Sequence, residues 1–525
     1  MTAHAAAAAG VGEQAARRRT FAIISHPDAG KTTLTEKLLL YAGAVAEAGT
    51  VKARQGRRTA TSDWMELERR RGISISSTVL RFEHAGLVFN LLDTPGHRDF
   101  SEDTLRVLAA VDCAVMLLDA AKGVEPQTRR LFEVARERGI PLIAFVNKYD
   151  RPGLDPLEML DHLERTLGLA PAPVTWPVGI PGDFRGVVDR RSGAFHRFTR
   201  TARGAGMAPE ELVDPVAAAR EEGAAWVSAR EELELLDAVG DPSGTPVFFG
   251  SASWNFGVRL LLDALGELAP AAAPRRGDNG PRPVVAPFSG LIFKVQANMD
   301  PRHRDRIAFL RVCSGRFERG MRAINARTGR PFALSHAHEL FGQDRTVLDS
   351  AYPGDVVGLV NAGDLLVGDT LFVDDPVRFA RIPVLAPEHF RTVHNRDTGR
   401  HKQFRRGLSQ LDEEGVIHLL RREYSGDPVP IIAGVGPMQF EVATERLRGE
   451  FGVDVRLEPM PWGVARRTDA AGARTILAQA REAEVLVRSD GTQLALFRNE
   501  YMLASFADKH PDVVLDRFLI RDDGG

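Results

Sequence analysis

The chain has 525 residues, of which 44% are hydrophobic and 26% are charged, and its formal net charge at pH 7 is −2. This length predicts three or four domains, and the near-neutral charge argues against a protein that coats nucleic acid non-specifically. No apolar run approaches the roughly 20 residues of a membrane span, and Cys113 and Cys313 lie in apolar segments that predict two buried thiols in a reducing compartment.

The first nineteen residues are rich in alanine and end in Arg17, Arg18 and Arg19. A secretion signal places its positive charge before the apolar stretch, and here the order is reversed. We therefore expect residues 1–19 to be a disordered leader of a cytoplasmic protein.

Residues 20–270 alternate apolar strands with helices. The strands are apolar throughout, which predicts a parallel sheet covered on both faces. Within this region, residues 50–74 are charged and lack periodicity, which predicts a mobile loop. We expect an insertion at about 170–240, with a loop-rich stretch at 173–189 and a Glu-rich helix at 217–238. The strands are expected at 20–25, 78–83, 87–92, 114–120, 141–150 and 245–250, and the helices at 31–43, 101–109, 126–138, 155–167 and 256–267.

The rest of the chain is expected to form two further domains. A linker rich in proline and alanine covers 269–283. Residues 284–384 show short strands with glycine turns about every ten residues, which is typical of a small β-barrel. Helices and strands alternate over 386–525, which predicts an α+β third domain.

A phosphate-binding loop is predicted between the first strand and the first helix of the sheet. Backbone N–H groups of such a loop and of the helix N-terminus surround the β-phosphate. Lys31 would bridge the β- and γ-phosphates, and the hydroxyl of Thr32 would bind Mg²⁺. Ser25 replaces the usual first glycine, and a chance glycine turn before a helix is the alternative. The residues concerned are Ser25, His26, Pro27, Asp28, Ala29, Gly30, Lys31, Thr32 and Thr33.

A second motif, DTPGH, follows the end of a predicted strand at Asp93. The Asp93 carboxylate would hold Mg²⁺ through water, and the Gly96 N–H can reach the γ-phosphate. Alone, this motif could be an ordinary turn. It comprises Asp93, Thr94, Pro95, Gly96 and His97.

A third motif, NKYD, ends another strand and predicts which base is bound. The Asp150 carboxylate can accept hydrogen bonds from the ring N–H and exocyclic amine of guanine, and adenine offers neither in that geometry. Asn147 and Lys148 complete this motif, and the Lys148 stem can lie over the base. Ser251-Ala252 fits a companion loop whose backbone N–H meets the guanine oxygen.

These motifs occur in the expected order and on the expected elements, which predicts that GTP or GDP is bound with Mg²⁺. The predicted fold class is therefore α/β: a P-loop GTPase domain with a parallel-rich sheet flanked by helices, followed by a β-barrel domain and an α+β domain.

The motifs HPDAGKTT and DTPGH resemble those of the translational GTPase family. In this family a histidine at the place of His97 orients the attacking water, so the resemblance makes His97 and Lys31 the catalytic residues. RGISI at 71–75 resembles the family's first switch segment, RGITI, in which a threonine binds Mg²⁺. Ser74 stands in its place as a metal ligand, and Pro27 and Ile73 would flank the approach of His97 to the water.

Further segments resemble the peptide chain release factor 3 family, among them FSEDTLRVLAAVDCAVMLLDAAKGVE, KVQANMDPRHRDRIAFLRVCSG and GVGPMQFEV. The resemblance covers roughly residues 20 to 510. It implies a ribosome-stimulated GTPase that promotes the dissociation of class I release factors after termination. The implied partners are the ribosome and class I release factors, with no membrane, and we expect a monomer.

Two rival functions remain open. Another ribosomal GTPase, of the elongation or ribosome-protection type, shares the first domains. Elongation factor G has two further domains, however, and we expect too few residues after the third domain here to build them. A GTP-dependent scaffold without hydrolysis is the other rival, but it would need neither His97 nor Mg²⁺ ligands.

Three basic segments are candidates for contact with RNA, and the alternative for each is an ordinary solvated surface. They are Arg69 to Arg71; Arg302, Arg304 and Arg306; and Arg391 to Arg406, which includes Lys402 and Arg405.

Overall fold

The computed structural model describes residues 3–45, 76–201, 206–239, 243–297, 306–341, 344–422, 429–480 and 482–520. Its first sheet has seven strands, which are parallel except at one edge, where β2 runs antiparallel to β3. Every residue of the central strand Cys113–Asp119 is buried, as expected for a sheet with helices on both faces. The strands, in spatial order, are β2 (Thr78–His84), β3 (Leu87–Asp93), β1 (Arg18–Ser25), β4 (Cys113–Asp119), β5 (Leu142–Asn147), β11 (Thr245–Phe249) and β6 (Pro171–Pro173).

The helices of this domain alternate with the strands along the chain. Two of them begin with a proline, which is tolerated there because the N–H groups of the first turn have no partner within the helix. Asp155 caps one of these two by accepting a hydrogen bond from the Glu158 N–H at 2.8 Å. The helices are α2 (Lys31–Tyr41), α3 (Ser101–Leu108), α4 (Pro126–Glu137), α5 (Pro156–Leu167) and α8 (Val258–Leu268).

The insertion is a four-stranded antiparallel sheet with two helices, α6 (Pro215–Glu222) and α7 (Ala224–Val239), so the loop predicted at 173–189 is wrong. Gly179 and Gly182, with φ angles of 97° and 98°, form the bulge and the turn of a hairpin. Gly223 divides the predicted Glu-rich helix in two. The strands are β7 (Thr175–Ile180), β8 (Asp183–Asp189), β9 (Ala194–Phe198) and β10 (Glu210–Val213).

An antiparallel β-rich domain follows, and its eight-stranded sheet packs on a core of aliphatic side chains together with Phe288 and Phe317. The linker predicted at 269–283 contains a short hairpin formed by β12 (Arg275–Gly277) and β13 (Gly280–Arg282). The strands of the large sheet, in spatial order, are β18 (Pro331–Ala333), β17 (Arg322–Asn325), β23 (Thr370–Phe372), β14 (Ser289–Ala297), β15 (Arg306–Ser314), β22 (Val356–Val360), β19 (Ala337–Phe341) and β20 (Asp344–Val347). Two short pairs accompany it: β16 (Phe317–Glu318) with β21 (Ser350–Ala351), and β24 (Val384–Leu385) with β32 (Phe518–Ile520).

The third domain is α+β, with a seven-stranded sheet whose ladders are antiparallel. Its helices are α9 (His401–Glu414), α10 (Met438–Phe451), α11 (Ala470–Gln479) and α12 (Glu500–Lys509). Its strands, in spatial order, are β28 (Val455–Pro459), β25 (His389–Asn395), β27 (Ile431–Gly434), β26 (His418–Arg421), β30 (Ala483–Arg488), β31 (Gln493–Phe497) and β29 (Val464–Thr468). The predicted fold class is confirmed, whereas the exact domain boundaries remain predictions.

The N-terminal residues differ from the disordered leader expected over residues 1–19. They form helix α1 (Ala3–Ala16), in which Val11 and Ala15 are buried. The strand that follows begins with Arg18, whose guanidinium donates to Asp355 of the β-rich domain at 2.7 Å. Burial of these two apolar side chains and this buried ion pair hold the segment in place.

Polar contacts join the first domain to the β-rich domain. Arg311 pairs with Asp112 at 2.5 Å, and Lys294 donates to the carbonyl of Ser77 at 2.6 Å. Both cysteines are buried free thiols, as predicted, and burial raises the pKa of Cys113 to about 12. Among the described residues, no helix is long and apolar enough to span a bilayer.

Candidate nucleotide-binding site

The phosphate loop lies between the end of β1 at Ser25 and the start of α2 at Lys31. Gly30 has a φ of 99°, and a Cβ there would lie 2.5 Å from Nδ2 of Asn147, so only glycine fits. Asp28 also adopts a positive φ, of 66°. The turn presents the free N–H groups of the first helical turn, which is a ready-made site for an anion.

Two polar groups of this loop are buried without a hydrogen-bond partner, Oγ of Ser25 and Nδ1 of His26. An unsatisfied buried polar atom costs about 1–3 kcal/mol, so both favour a polar ligand in this loop. Burial lowers the pKa of His26, although Glu125, whose Oε2 lies 3.1 Å from Nε2, opposes the shift. The imidazole is therefore neutral near pH 7.

Lys31 and Asp93 form a buried ion pair beneath the loop, with Nζ at 2.7 Å from Oδ1. Parallel pairing places Asp93 opposite Ile23, which brings the ends of the two strands together. The Thr35 hydroxyl also lies 3.4 Å from the same carboxylate oxygen. Thr32 and Thr33 are half-buried in the first turn of α2. The structure thus brings together a lysine, a carboxylate and the Thr35 hydroxyl, and the role of Thr32 stays a prediction.

The turn after β3 packs directly on the phosphate loop. The Thr94 hydroxyl donates to the Ile23 carbonyl at 2.6 Å, and an added Cβ at Gly96 would lie 3.7 Å from Cα of Pro27. Thr94 therefore anchors the turn rather than pointing to a ligand, and Pro95 joins it to Gly96. The side chain of His97 is 32% exposed, so the imidazole is partly accessible to solvent.

Asn147 connects the phosphate loop to the companion loop. Its Nδ2 donates to the Ala29 carbonyl at 2.7 Å, and its Oδ1 accepts the Ala252 N–H at 2.8 Å. All three residues are buried. The Ala252 N–H is thus engaged by Asn147, and the Ser251 hydroxyl is buried without a partner.

Lys148 has a positive φ of 65° and lies across the edge of the site. Its Nζ donates to Oδ2 of Asp119 at 2.8 Å and to the Asp28 carbonyl. Burial by itself would raise the pKa of Asp119, but the hydrogen bond from Lys148 holds it below its usual range. The two contacts extend the lysine stem beside the phosphate loop.

Asp150 has one satisfied and one unsatisfied carboxylate oxygen. Oδ2 accepts the Trp254 indole N–H at 3.1 Å, whereas Oδ1 is buried and has no hydrogen-bond partner. A guanine edge, with two donors side by side, suits such a carboxylate.

Some expectations lie outside the described residues, namely the loop predicted at 50–74, with Arg69 to Arg71, Ile73 and Ser74, and the residues Arg302 and Arg304. Of the remaining basic candidates, Arg306 pairs with Glu413, whereas Lys402 and Arg405 are exposed. Sequence reasoning missed Asp119 and Trp254. Asp119 sits at a strand end like Asp93 and could have been suspected, but nothing in the sequence marks Trp254.

Family models match three segments of the chain. The Elongation factor Tu GTP binding domain matches residues 16–271, Elongation factor G domain 2 matches 287–374, and the Class II release factor RF3, C-terminal domain, matches 379–507.

Curated relatives match over most of the chain. Peptide chain release factor 3 of Gloeobacter violaceus is 52% identical over 86% of this chain and 87% of its own length. That of Synechococcus elongatus is 50% identical over 96% and 93%, respectively. The chain belongs to the peptide chain release factor 3 family.

Membership makes the chain a translational GTPase of the release factor class that binds guanine nucleotide. A crystal structure of a Thermus thermophilus protein is similar in fold, with a TM-score of 0.69 and 26% sequence identity. It covers 91% of this chain, and this chain covers 72% of it. The prediction made from the motif segments is thereby confirmed at the level of the family.

Proposed function

We propose that the chain is a ribosome-stimulated GTPase that promotes the dissociation of class I release factors after peptide release. The observation that carries this proposal is similarity to peptide chain release factor 3 across 96% of the chain, including the C-terminal domain named for class II release factors. The substrate is GTP, and the products are GDP and phosphate.

Phosphate binding rests on the loop and on Lys31. The N–H groups at the start of α2 and the Lys31 ammonium would neutralise the charge of the β- and γ-phosphates. Lys31 pairs with Asp93 beneath the loop. Phosphate oxygens would give this lysine a second anionic partner within reach of the same loop.

Thr32, Ser74 and Asp93 are the residues that would hold Mg²⁺. A carboxylate and hydroxyl groups suit this ion, which binds through few protein oxygens together with phosphates and water. The buried Asp93 carboxylate at the end of β3, within 3.4 Å of the Thr35 hydroxyl, fits this chemistry. When bound, the ion neutralises charge on the β- and γ-phosphates.

His97 would orient the water that attacks the γ-phosphate. The ring is partly exposed, and the turn that carries it packs against Pro27 of the phosphate loop. In this role the histidine acts by position and needs no strong basicity. A partner that orders this turn would act as GTPase activators do in other proteins, where they raise the rate of GTP hydrolysis by a factor on the order of 10³–10⁵.

Base selection would rest on Asp150, next to the companion loop at Ser251 and Ala252, where the buried Ser251 hydroxyl has no partner. The unsatisfied Oδ1 of Asp150 suits the guanine N–H groups, and Trp254 holds the other oxygen in place. We also propose that the protein acts as a monomer in the cytoplasm, where ribosomes carry out termination.

The proposal is tested with a fluorescent class I release factor on post-release ribosomes. We expect the protein with GTP to accelerate release factor dissociation, compared with no protein, and to give no stimulation of tRNA translocation in a parallel assay. Translocation without release would instead assign the elongation type. GTP binding without any stimulated hydrolysis would favour the scaffold.

A further inference from the structure

Asp99 lies between His97 and the third domain and is 5% exposed. Its backbone N–H donates to Nδ1 of His97 at 3.2 Å, and its Oδ1 lies 3.4 Å from the same nitrogen. Its other oxygen, Oδ2, accepts the backbone N–H of Met438 at 2.7 Å. Met438 begins α10, so one carboxylate touches both the histidine and a helix N-terminus of another domain.

The third-domain loop that contacts Asp99, residues 435–438, is held in shape by the side chain of Gln439. Oε1 of Gln439 accepts the N–H groups of Val435 and Gly436 at 2.6 and 3.1 Å, and its Nε2 donates to the Val416 carbonyl at 3.0 Å. The loop is therefore rigid by its own hydrogen bonds and does not depend on Asp99 for its shape.

The fit between this loop and Asp99 leaves no free space. An added Cβ at Gly436 would lie 2.0 Å from Cγ of Asp99 and 2.1 Å from its Oδ1. Gly436 does not have a positive φ, so an alanine there meets no backbone strain, only the carboxylate. A substitution at this position thus acts on Asp99 from the other domain.

We propose that Asp99 is a positioning residue for His97, and that the third domain sets its position through Met438 and Gly436. The inference rests on the proposed role of His97. Nδ1 faces both the backbone N–H and the carboxylate of Asp99, so Nε2 is the ring nitrogen left for the attacking water. The placement of the third domain then controls the orientation of the ring, and with it the hydrolysis rate.

A nearby contact between the same two domains supplies a control. Arg98 pairs with Glu388, and both side chains are more than one third exposed. Exposed ion pairs are worth little, and this one does not touch His97. Glu388→Gln therefore weakens the domain contact and leaves the Asp99 contacts in place.

The experiment is a double-mutant cycle of Asp99→Ala and Gly436→Ala, measured by ribosome-stimulated GTP hydrolysis. We expect each single variant to lower kcat at least tenfold with KM for GTP within twofold of wild type. The double variant should fall no further than Asp99→Ala, because the added methyl then has no carboxylate to displace. Asp99→Asn, which keeps an oxygen for Met438, should be affected less than Asp99→Ala, and Glu388→Gln should stay within twofold.

The inference would be overturned if the kcat losses of the two single variants multiplied in the double variant. It would also be overturned if Glu388→Gln lost as much kcat as Asp99→Ala, since either result means that the domain contact is loosened in general. GDP affinity and thermal unfolding of each variant separate misfolding from a positioning effect. His97→Ala is measured alongside. If it hydrolyses GTP normally, the proposed role of His97 fails; if it is slow and the Asp99 variants are normal, only this inference fails. Should ribosomes not stimulate the wild type, the same cycle is judged on the unstimulated rate.

Discussion

Asn147 offers the sharpest test of the site, because both ends of its side-chain amide hold backbone groups of two different loops. Its two hydrogen bonds, 2.7 Å to the Ala29 carbonyl and 2.8 Å from the Ala252 N–H, connect the phosphate loop to the companion loop. Asn147→Ala would leave a buried carbonyl and a buried N–H without partners. We therefore expect weaker binding of GTP and GDP alike.

The magnitude follows from the burial of these groups, since Ala29 and Ala252 are 0% exposed. Each lost bond costs about 1–2 kcal/mol once the abandoned partner is included, or about 2–4 kcal/mol for the two. We expect the two loops to separate in the variant, so that nucleotide binding must restore their arrangement and bears this cost. At about 1.4 kcal/mol for each factor of ten, it corresponds to a loss of affinity between about 30-fold and several hundred-fold.

Titration with a fluorescent GDP analogue measures the change. A matched control is Asn325→Ala in the β-rich domain, where the buried amide also makes two hydrogen bonds, to Asp369 and from Arg327. This control should lower thermal stability without changing nucleotide affinity. A change below threefold in Asn147→Ala, or an equal change in both variants, would refute the reasoning.

Further outcomes follow from the same geometry. Asp150→Asn should shift preference from GTP towards xanthosine triphosphate, whose ring presents the complementary groups, and a variant that still prefers GTP in competition titrations would contradict the base assignment. His97→Ala should keep GDP affinity within about twofold and lose stimulated hydrolysis in a single-turnover assay, because affinity comes from other groups. Burial by itself would raise the pKa of Glu102, but His418 and Arg106 lower it from 4.5 to about 2. The ionised Glu102 carboxylate therefore stabilises the fold fully above pH 4.5, and about 1.4 kcal/mol of this stabilisation is lost when the pH falls to 3.5. Denaturant unfolding at a series of pH values measures the loss, and the Glu102→Gln variant should not show it.

Several features of the site could be predicted because they depend on local sequence. The phosphate loop turns at Gly30 with a φ of 99°, which favours glycine, and the motif HPDAGKTT shows this glycine directly in the sequence. Asp93 and Asn147 end strands of one parallel sheet, so their position at the same edge also follows from the strand pattern.

Other features escaped prediction because the local signal pointed elsewhere. Pro177, Gly179 and Gly182 are typical of loops, yet Pro177 lies within a strand, and Gly179 and Gly182 form the bulge and the turn of an antiparallel hairpin whose strands are mostly buried. The leader over 1–19 carries no strong pattern, and its order depends on contacts such as Arg18 with Asp355, 337 residues away. Tertiary packing overrides weak local preference in both places.

The sequence by itself determined the family, the order of three domains and the residues that contact nucleotide in the proposed function, because these depend on short motifs and on strand and helix periodicity. Only the tertiary structure decided which groups support them. Trp254 holds Asp150, and Asp99 meets Met438 across a separation of 339 residues. Hydrogen bonds between such distant residues depend on how whole domains pack, and this packing cannot be predicted from a pattern of adjacent residues.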